Sequence, residues 1–465
     1  MHAHIVKGGG LLQPLRFLHA ADLHLDSPFK GMSVMPESLR ERVRESTFLA
    51  LQRLVRLAVE ERVDFALISG DVYDLADRSL RAQIRFQKAM EQLAEHDIPV
   101  FIIHGNHDPE DGRAARLNWP ETVHFFASDR VETVDVEKPG RGIIAQIHGI
   151  SYRTSAVTEN LALQFHAGDS AVCQIGLLHT NVDGDPAHDN YAPCSKADLL
   201  QTGMHYWALG HVHTRKVVHT EPVIAYPGNI QGRSIRECGP RGCYIVDVHT
   251  AGEADLAFHA LDSLRWFQER VSIHGLQSEQ ELRELLEQRM EEIRQAADGR
   301  ASIVRFTLEG RGALYRRLKQ GKALEELCSL MRDEEMERIG GRGGGAGALA
   351  GVRGFDEEAV GRMGHADPAD FVWIESIEDR TGLEIDREAL LQQRSYIGDL
   401  LRLAQALRLD DAALAAFAGE ALAALQAQPQ AAKLAAAEPE QLREWLRAAE
   451  ELAAGLLAAD GGWSG

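Results

Sequence analysis

The sequence predicts an α/β chain: a layered core of helices covering a largely buried sheet, then a small α+β unit, then a helical C-terminal region. Three observations predict it. Apolar runs of four to six residues alternate with amphipathic stretches over residues 15 to about 260. Several of these runs end in a short motif rich in Gly, Asp, Asn and His. Beyond Pro368 the apolar residues recur with helical period.

Taken in order, Leu15-Arg16-Phe17-Leu18-His19-Ala20 is a first strand, ending at Asp22. A helix is expected near Glu37–Glu61, with Leu51, Leu54, Val55 and Ala58 on one face. Asp64 to Ser69 is the second strand, ending at Gly70-Asp71. A second helix near Ser79–His96 shows Phe86, Met90 and Leu93 on one face. Val100–Ile103 is the third strand, ending in Gly105-Asn106-His107-Asp108. Ile143–Tyr152, Val172–His179, Tyr206–Gly210 and Gly242–Val248 also read as strands with shorter connections.

A second unit begins near Leu261. Phe267, Glu269, Val271 and Ile273 alternate as a strand does, and so do Val304, Phe306 and Leu308. Between them Ser278-Glu279-Gln280-Glu281 is a capping box that opens a charged helix to about Gln295. The domains expected are a loose extension over 1–14, a core domain over 15–260, an α+β domain over 261–335, a linker over 336–367 and a helical domain over 368–465. The linker rests on the glycine run from Gly340 to Gly347. No Gly-Lys-Ser/Thr follows that run and no strong strand precedes it, so a flexible connection fits better than a phosphate loop. In the last domain Ile397, Leu400, Leu401 and Ala404 form one stripe. Leu442, Trp445, Leu446, Ala449, Leu452, Ala453 and Leu456 form a longer one.

Composition narrows the function classes. No run of 18 apolar residues occurs, which excludes a spanning helix. The first 14 residues carry no apolar signal core, so a secretory reading fails. Five irregularly spaced cysteines (Cys173, Cys194, Cys238, Cys243, Cys328) point to a reducing, cytoplasmic compartment. The net charge of −20 argues against a surface that coats polyanions generally, but not against a local basic patch. No Walker A sequence is present, so any use of ATP is borrowed from a partner.

The motifs carry the chemistry. Asp22-Leu23-His24, Gly70-Asp71, Gly105-Asn106-His107-Asp108, His179 and Gly210-His211-Val212-His213 each follow an apolar run. Buried strands that end side by side bring such residues to one spot. An oxygen/nitrogen set of this kind suits two adjacent divalent metals, about 3.5–4 Å apart and bridged by one carboxylate, and two metals suit phosphoester hydrolysis. Asp71 is the natural bridge. Asp22 and His24 lie two apart and can reach one metal. Asn106 adds a neutral oxygen; His179, His211 and His213 add nitrogens. His107, next to a ligand, can protonate a leaving group or stabilise the transition state. His19, His104 and His148 lie in apolar strands and read as satisfied structural groups.

In this order the motifs resemble those of the calcineurin-like metallophosphoesterase superfamily, over roughly half the chain. Within it the chain is similar to the DNA repair exonuclease branch, the SbcD/Mre-type nucleases. The segment Phe17-Leu18-His19-Ala20-Ala21-Asp22-Leu23-His24-Leu25-Asp26-Ser27-Pro28-Phe29 most resembles the YhaO-type members. Asp26 stands where Gly commonly follows the His-Leu pair in that branch. The resemblance implies a sandwich of mixed β-sheets flanked by helices. It implies two metals, one held by Asp22, His24, Asp71 and His213, the other by Asp71, Asn106, His179 and His211. It makes His107 the catalytic histidine and gives Asp108 the task of orienting His107 or a ligand. Asn229, in Tyr226-Pro227-Gly228-Asn229, and Arg233 become candidate substrate contacts. Manganese is the metal it implies; the ligand set alone also admits iron, zinc or magnesium. It further implies DNA as substrate, an SbcC-like coiled-coil ATPase as partner, and dimers through the phosphoesterase domain. A small-molecule phosphodiesterase or nucleotide phosphatase is the competing enzyme, and a non-catalytic scaffold for an ATPase the competing non-enzyme.

Overall fold

The computed structural model describes residues 12–32, 34–74, 79–112, 115–168, 171–185, 189–250, 252–342, 370–383, 387–426 and 437–459. Most of the expected N-terminal extension and most of the expected linker lie outside them. The chain divides into two compact units. The first is built mainly from the chain up to Phe267; the second takes Gln268–Glu292, Arg305–Arg338 and the chain from Ser376.

The first unit holds two six-stranded sheets. In one, β1 (Leu15–Ala20), β2 (Phe65–Ser69), β3 (Val100–Ile103) and β4 (Val123–Phe125) run parallel in that order. The other contains β5 (Glu132–Lys138), β6 (Gly142–Gly149), β7 (Cys173–His179), β8 (Tyr206–Gly210), β9 (Lys216–Thr220) and β10 (Val223–Tyr226). Its order is β5-β6-β7-β8-β10-β9, with antiparallel strands at both edges and parallel pairing between. The strands β11 (Gly242–Val248) and β12 (Ala254–Ala260) extend the first sheet antiparallel beyond β1.

Period 2 decides which residues face which layer. Phe17, Phe65, Leu67 and Phe101 of the first sheet pack against Ile147, Ile175, Leu177 and Tyr206 of the second. The alternate residues Leu18, Ala66, Ile68 and Ile102 face two helices, α1 (Glu37–Glu60) and α2 (Leu80–Ala94). The predicted helix faces are those that bury: Leu51, Leu54, Phe86, Met90 and Leu93 are each at most 2% exposed. Ser79 caps α2, accepting the Ala82 N–H at 3.0 Å. On the far face of the second sheet Trp207, Tyr152 and Phe165 pack with the short helix α3 (Lys196–Leu200). The first unit is therefore a sandwich of two mixed sheets covered by helices.

A third sheet has the order β13 (Leu264–Ser272), β14 (Ala301–Glu309), β15 (Val372–Asp379). Ser278 opens α4 (Glu279–Ala296), its Oγ accepting the Glu281 N–H at 3.3 Å. After α5 (Tyr315–Leu318), α6 (Ala323–Arg342) runs on through Gly340 and Gly341. Two boundaries therefore differ from those expected. The linker does not begin at 336, because α6 continues; and the chain just past Pro368 is a strand, because Val372, Trp373 and Ile374 bury in a sheet. Helices follow it: α7 (Arg387–Gln392), α8 (Tyr396–Leu409), α9 (Asp411–Gln426) and α10 (Pro439–Ala459). Leu401 and Ala404 of the first predicted stripe are buried. On α10 the stripe splits: Leu442 and Leu446 are half-buried, while Trp445 and Leu452 face outward.

No helix among the described residues is long and apolar enough to cross a membrane. All five cysteines are free thiols.

Candidate metal centre

Parallel pairing sets the C-terminal ends of β1, β2 and β3 along one edge of the first sheet, and those of β7 and β8 together in the second. The motif loops leave from these ends and meet. The backbone bends sharply to allow it. Asp22, His24, Asp71 and His211 all have positive φ, at 52°, 42°, 53° and 98°. Side-chain-bearing residues rarely adopt such values, and their concentration here is strain held in place by the surrounding fold. Two glycines are needed for contact rather than flexibility. A Cβ at Gly105 would collide with Asp71 Oδ1, and one at Gly210 with the Ser69 carbonyl oxygen.

The predicted ligands converge. Atoms of Asp22, His24 and His213 lie within 4.8 Å of one another, and so do those of Asp22, Asp71 and His179. His24 Nε2 is 3.2 Å from His213 Nε2 and 3.7 Å from Asp71 Oδ2. His179 Nε2 is 3.4 Å from Asp71 Oδ2 and 3.0 Å from Asn106 Oδ1, which is in turn 3.2 Å from His211 Nδ1. Asp22, His24, Asp71, Asn106, His179 and His211 are all at most 9% exposed.

The far nitrogen of each ligand imidazole decides what the near one can be. His24 Nδ1 meets the Asp74 carboxylate at 2.7 Å, and His213 Nδ1 meets Glu237 at 2.7 Å. His179 Nδ1 meets the Ser69 carbonyl at 2.8 Å, and His211 Nε2 meets the Asp189 carbonyl at 2.7 Å. All four partners only accept, so each of these far nitrogens carries the hydrogen. A neutral ring then presents a lone pair at its near nitrogen. Four lone pairs thus point into a buried space already lined by Asp22, Asp71 and the Asn106 oxygen. Acceptors packed this way repel unless positive charge sits between them, and the donor set fits divalent cations of the N/O-preferring kind.

Asp71 draws positive charge to this space, whether as a proton on His179 or as a cation held between the ligands. Burial alone would raise the Asp71 pKa, but the neighbouring His179, His24 and His107 rings hold it well below the usual carboxylate range. Burial opposes charge on His179, and the Asp71 carboxylate outweighs it, lifting that imidazole to about 9. His211 goes the other way, to about 4, through burial and then the proximity of His179. The space between these groups favours a cation.

His107 stands apart from the four. Its backbone N–H donates to Asp71 Oδ1 at 2.8 Å, and its ring Nδ1 meets Asp74 Oδ1 at 2.9 Å. The side chain remains 44% exposed, open to a substrate. Burial would lower its pKa, but the Asp74 hydrogen bond and the Asp71 charge raise it overall. Asp108 does not reach this ring. It is fully buried and accepts backbone N–H groups from Gly105 (2.7 Å), Val72 (2.8 Å) and Asp71 (3.2 Å), fastening two motif loops together. The expected role of orienting a ligand falls to Asp108, and that of orienting His107 to Asp74.

Both predicted substrate contacts, Asn229 and Arg233, have partners within the protein. Asn229 is completely buried; it donates to the Gln231 carbonyl at 2.9 Å and accepts from Arg241 at 3.2 Å. It shapes its loop. Arg233 is 15% exposed and pairs with Asp74 and Glu237. Those two acids are what sequence reasoning missed. Asp74 was findable as a second acid three residues past Asp71. Glu237 carried no signal, since only the folding of the 229–241 loop brings it to His213. His19 and His148 are satisfied structural groups: His19 bonds Tyr206 and Ser69, and His148 bonds Thr133 and Gln174. Asp26 accepts from Ser79 at 2.6 Å and anchors the start of α2.

A sandwich of mixed sheets whose strand-end loops gather His, Asp and Asn in one place suits a metal-dependent phosphoesterase. Residues 15–215 match the calcineurin-like phosphoesterase family. Residues 266–382 match the middle domain of the metallophosphoesterase YhaO, a span that takes in β15. The chain is 44% identical over 264 residues to the uncharacterized metallophosphoesterase YhaO of Bacillus subtilis, a match over 57% of this chain and 64% of that protein. It thus spans less than two thirds of that relative's length. It is 23% identical to the SbcD component of the nuclease SbcCD of the same organism, over 52% of this chain and 68% of that one. It is 27% identical to the DNA double-strand break repair protein Mre11 of Thermoplasma acidophilum, over 53% and 66%. Among solved structures, a dimetal phosphatase from Danio rerio matches 53% of this chain and 99% of its own, at 12% identity and a TM-score of 0.32.

Proposed function

We propose that this chain is a two-metal phosphodiesterase acting on DNA, an exonuclease of DNA repair that uses manganese. The observation that carries the reading is the convergence of four imidazole lone pairs on Asp22, Asp71 and Asn106, each fixed by a hydrogen bond at the far ring nitrogen. One ion would be held by Asp22, His24, Asp71 and His213, the other by Asp71, Asn106, His179 and His211. When bound, such a pair polarises the phosphoryl oxygens and makes water nucleophilic at neutral pH. The protein's own residues supply the rest. Asp108 keeps the Asp71 and Asn106 loops in register. Asp74 takes the His107 Nδ1 hydrogen, and the ring stays partly exposed, so that when protonated it can give a proton to the leaving oxygen.

DNA as substrate is supported by the likeness to the SbcCD nuclease and to the break-repair protein Mre11. The same likeness supports a coiled-coil ATPase of the SbcC kind as partner, and the outward Trp445, Leu409 and Leu452 of the helical region offer it a surface. The protein works in the cytoplasm in this reading, and pairing of two copies is compatible with it. One observation favours a small phosphodiester instead: the charge of −20 gives DNA little general attraction. A panel of end-labelled linear duplex, single-stranded DNA and bis(p-nitrophenyl) phosphate, each with Mn2+ and with chelator, separates the readings. The proposal expects Mn2+-dependent release of nucleotides from DNA ends. Hydrolysis of the small diester with both DNAs left intact would transfer the assignment to a small-molecule enzyme.

A further inference from the structure

Arg233 is a residue type that suits phosphate, yet its guanidinium contacts point inward. Its Nη1 is 3.3 Å from Asp74 Oδ2 and its Nη2 is 3.7 Å from Glu237 Oε1, while its backbone N–H donates to Glu237 Oε2 at 2.7 Å. Its Nε has no hydrogen-bond partner among the described residues, but it is sealed from solvent and out of a substrate's reach. The two acids it spans are those that fix the site's rings. Asp74 Oδ1 takes the Nδ1 hydrogens of both His24 and His107, and Glu237 Oε1 takes that of His213. Three of the five site imidazoles therefore hang from two carboxylates, and one guanidinium ties those carboxylates together.

We infer that Arg233 is a positioning residue: it braces Asp74 and Glu237 and so fixes how His24 and His213 present their nitrogens to the metal they share. The physical need is plain. Asp74 and Glu237 are only 16% and 12% exposed at their side chains. Without the guanidinium, Asp74 and Glu237 would face one another through low-dielectric space and turn away toward water, and the rings hung from them would follow. A planar fork can meet both acids at once; an ammonium is a single point and cannot. Ser27 Oγ also donates to Asp74, and the Lys30 N–H donates to the Arg233 carbonyl at 3.4 Å, so the brace is itself held by the loop that follows His24.

The inference rests on the metal-centre reading, and the test separates the two. Mn2+ is titrated into the full-length wild type, Arg233→Ala, Arg233→Lys and Glu237→Ala, with binding followed by electron paramagnetic resonance and folding by circular dichroism. Loss of partners behind metal-bound histidines typically weakens metal affinity by about 10–100-fold, which is the loss expected for Arg233→Ala. Arg233→Lys should lose less, and adding Glu237→Ala to Arg233→Ala should cost less than the two single losses combined, because both act through His213. Wild-type Mn2+ affinity in folded Arg233→Ala, with a raised KM for bis(p-nitrophenyl) phosphate, would make Arg233 a substrate ligand and overturn the inference. If Arg233→Ala does not fold, Arg233→Lys decides: weakened binding supports the brace and wild-type binding refutes it. A wild type that binds no Mn2+ would instead remove the metal-centre reading beneath it.

Discussion

The strand-end loops of the first unit and the helices of the second handle their side chains in opposite ways. In the loops, the predicted ligands are mostly buried and each of their rings has a fixed partner; Asp71 alone meets His107, His179 and His24. The backbone there is strained at four ligand-bearing positions. In the helices the backbone is regular, while large apolar groups are left in water: Leu409 is 84% exposed and Leu452 66%. The difference teaches what each region is specified for. Chemistry needs atoms fixed to within a fraction of an ångström, so the fold overdetermines them. A helix that meets other surfaces needs only a face, so its sequence fixes a stripe and leaves the rest open.

Substitutions can break or sharpen this contrast. The largest effect is expected from Asp71→Ala, which removes the carboxylate shared by both halves of the site. Hydrolysis of bis(p-nitrophenyl) phosphate should fall by on the order of a thousandfold or more, about 4 kcal/mol in barrier height. His107→Ala should come next, lowering kcat by about a hundredfold or more while Mn2+ binding stays at the wild-type level, because this ring faces the substrate side. Metal lost along with activity would place His107 among the ligands.

The third effect is on stability and pH. His19 is fully buried, and burial pushes its pKa down to about 3 against a weaker upward pull from the Leu209 carbonyl. The folded value lies below the unfolded value of about 6.5, so the unfolded chain takes up the proton first. The stabilisation from keeping His19 neutral is therefore complete above about pH 6.5. It is lost as pH falls from there toward 3, at about 1.4 kcal/mol per pH unit. Urea unfolding at pH 7 and pH 5 should show a flatter pH dependence in His19→Gln than in wild type; equal slopes would refute the assignment. The smallest effect belongs to the helices. Leu409→Ala should change stability by less than about 0.5 kcal/mol, measured by denaturant melts, because the side chain lies in water already.

The sequence made the centre of the first unit unusually readable. Strands β1, β3, β8 and β11 begin and end where the apolar runs do, because strands buried on both faces are apolar nearly throughout. The edge strands β5, β9 and β12 were not legible. Their half-exposed alternation, as in Glu132–Lys138, places polar residues where a buried run would be sought. β15 was missed for a different reason: the helical period of the chain beyond it was carried back over Phe371-Val372-Trp373-Ile374, an apolar run short enough for a strand. At the site, every predicted ligand follows an apolar run, and in the Gly-Asp, Gly-Asn-His-Asp and Gly-His-Val-His motifs a glycine permits close approach. Glu237 and the inward contacts of Arg233 depend on loop geometry alone, which no local pattern in the sequence carries. The burial of Asn229 is likewise invisible in the sequence, since a polar side chain in a loop reads as available until its burial is seen.

The central claim is that four fixed imidazoles, two aspartates and an asparagine form a centre for two cations. Its most direct test is the amount of Mn2+ retained by the purified chain after equilibrium dialysis, with Asp71→Ala measured beside it. The account predicts two ions per wild-type chain and a clear loss of binding in the variant. A wild type that retains none, or a variant that retains as much as wild type, would contradict it.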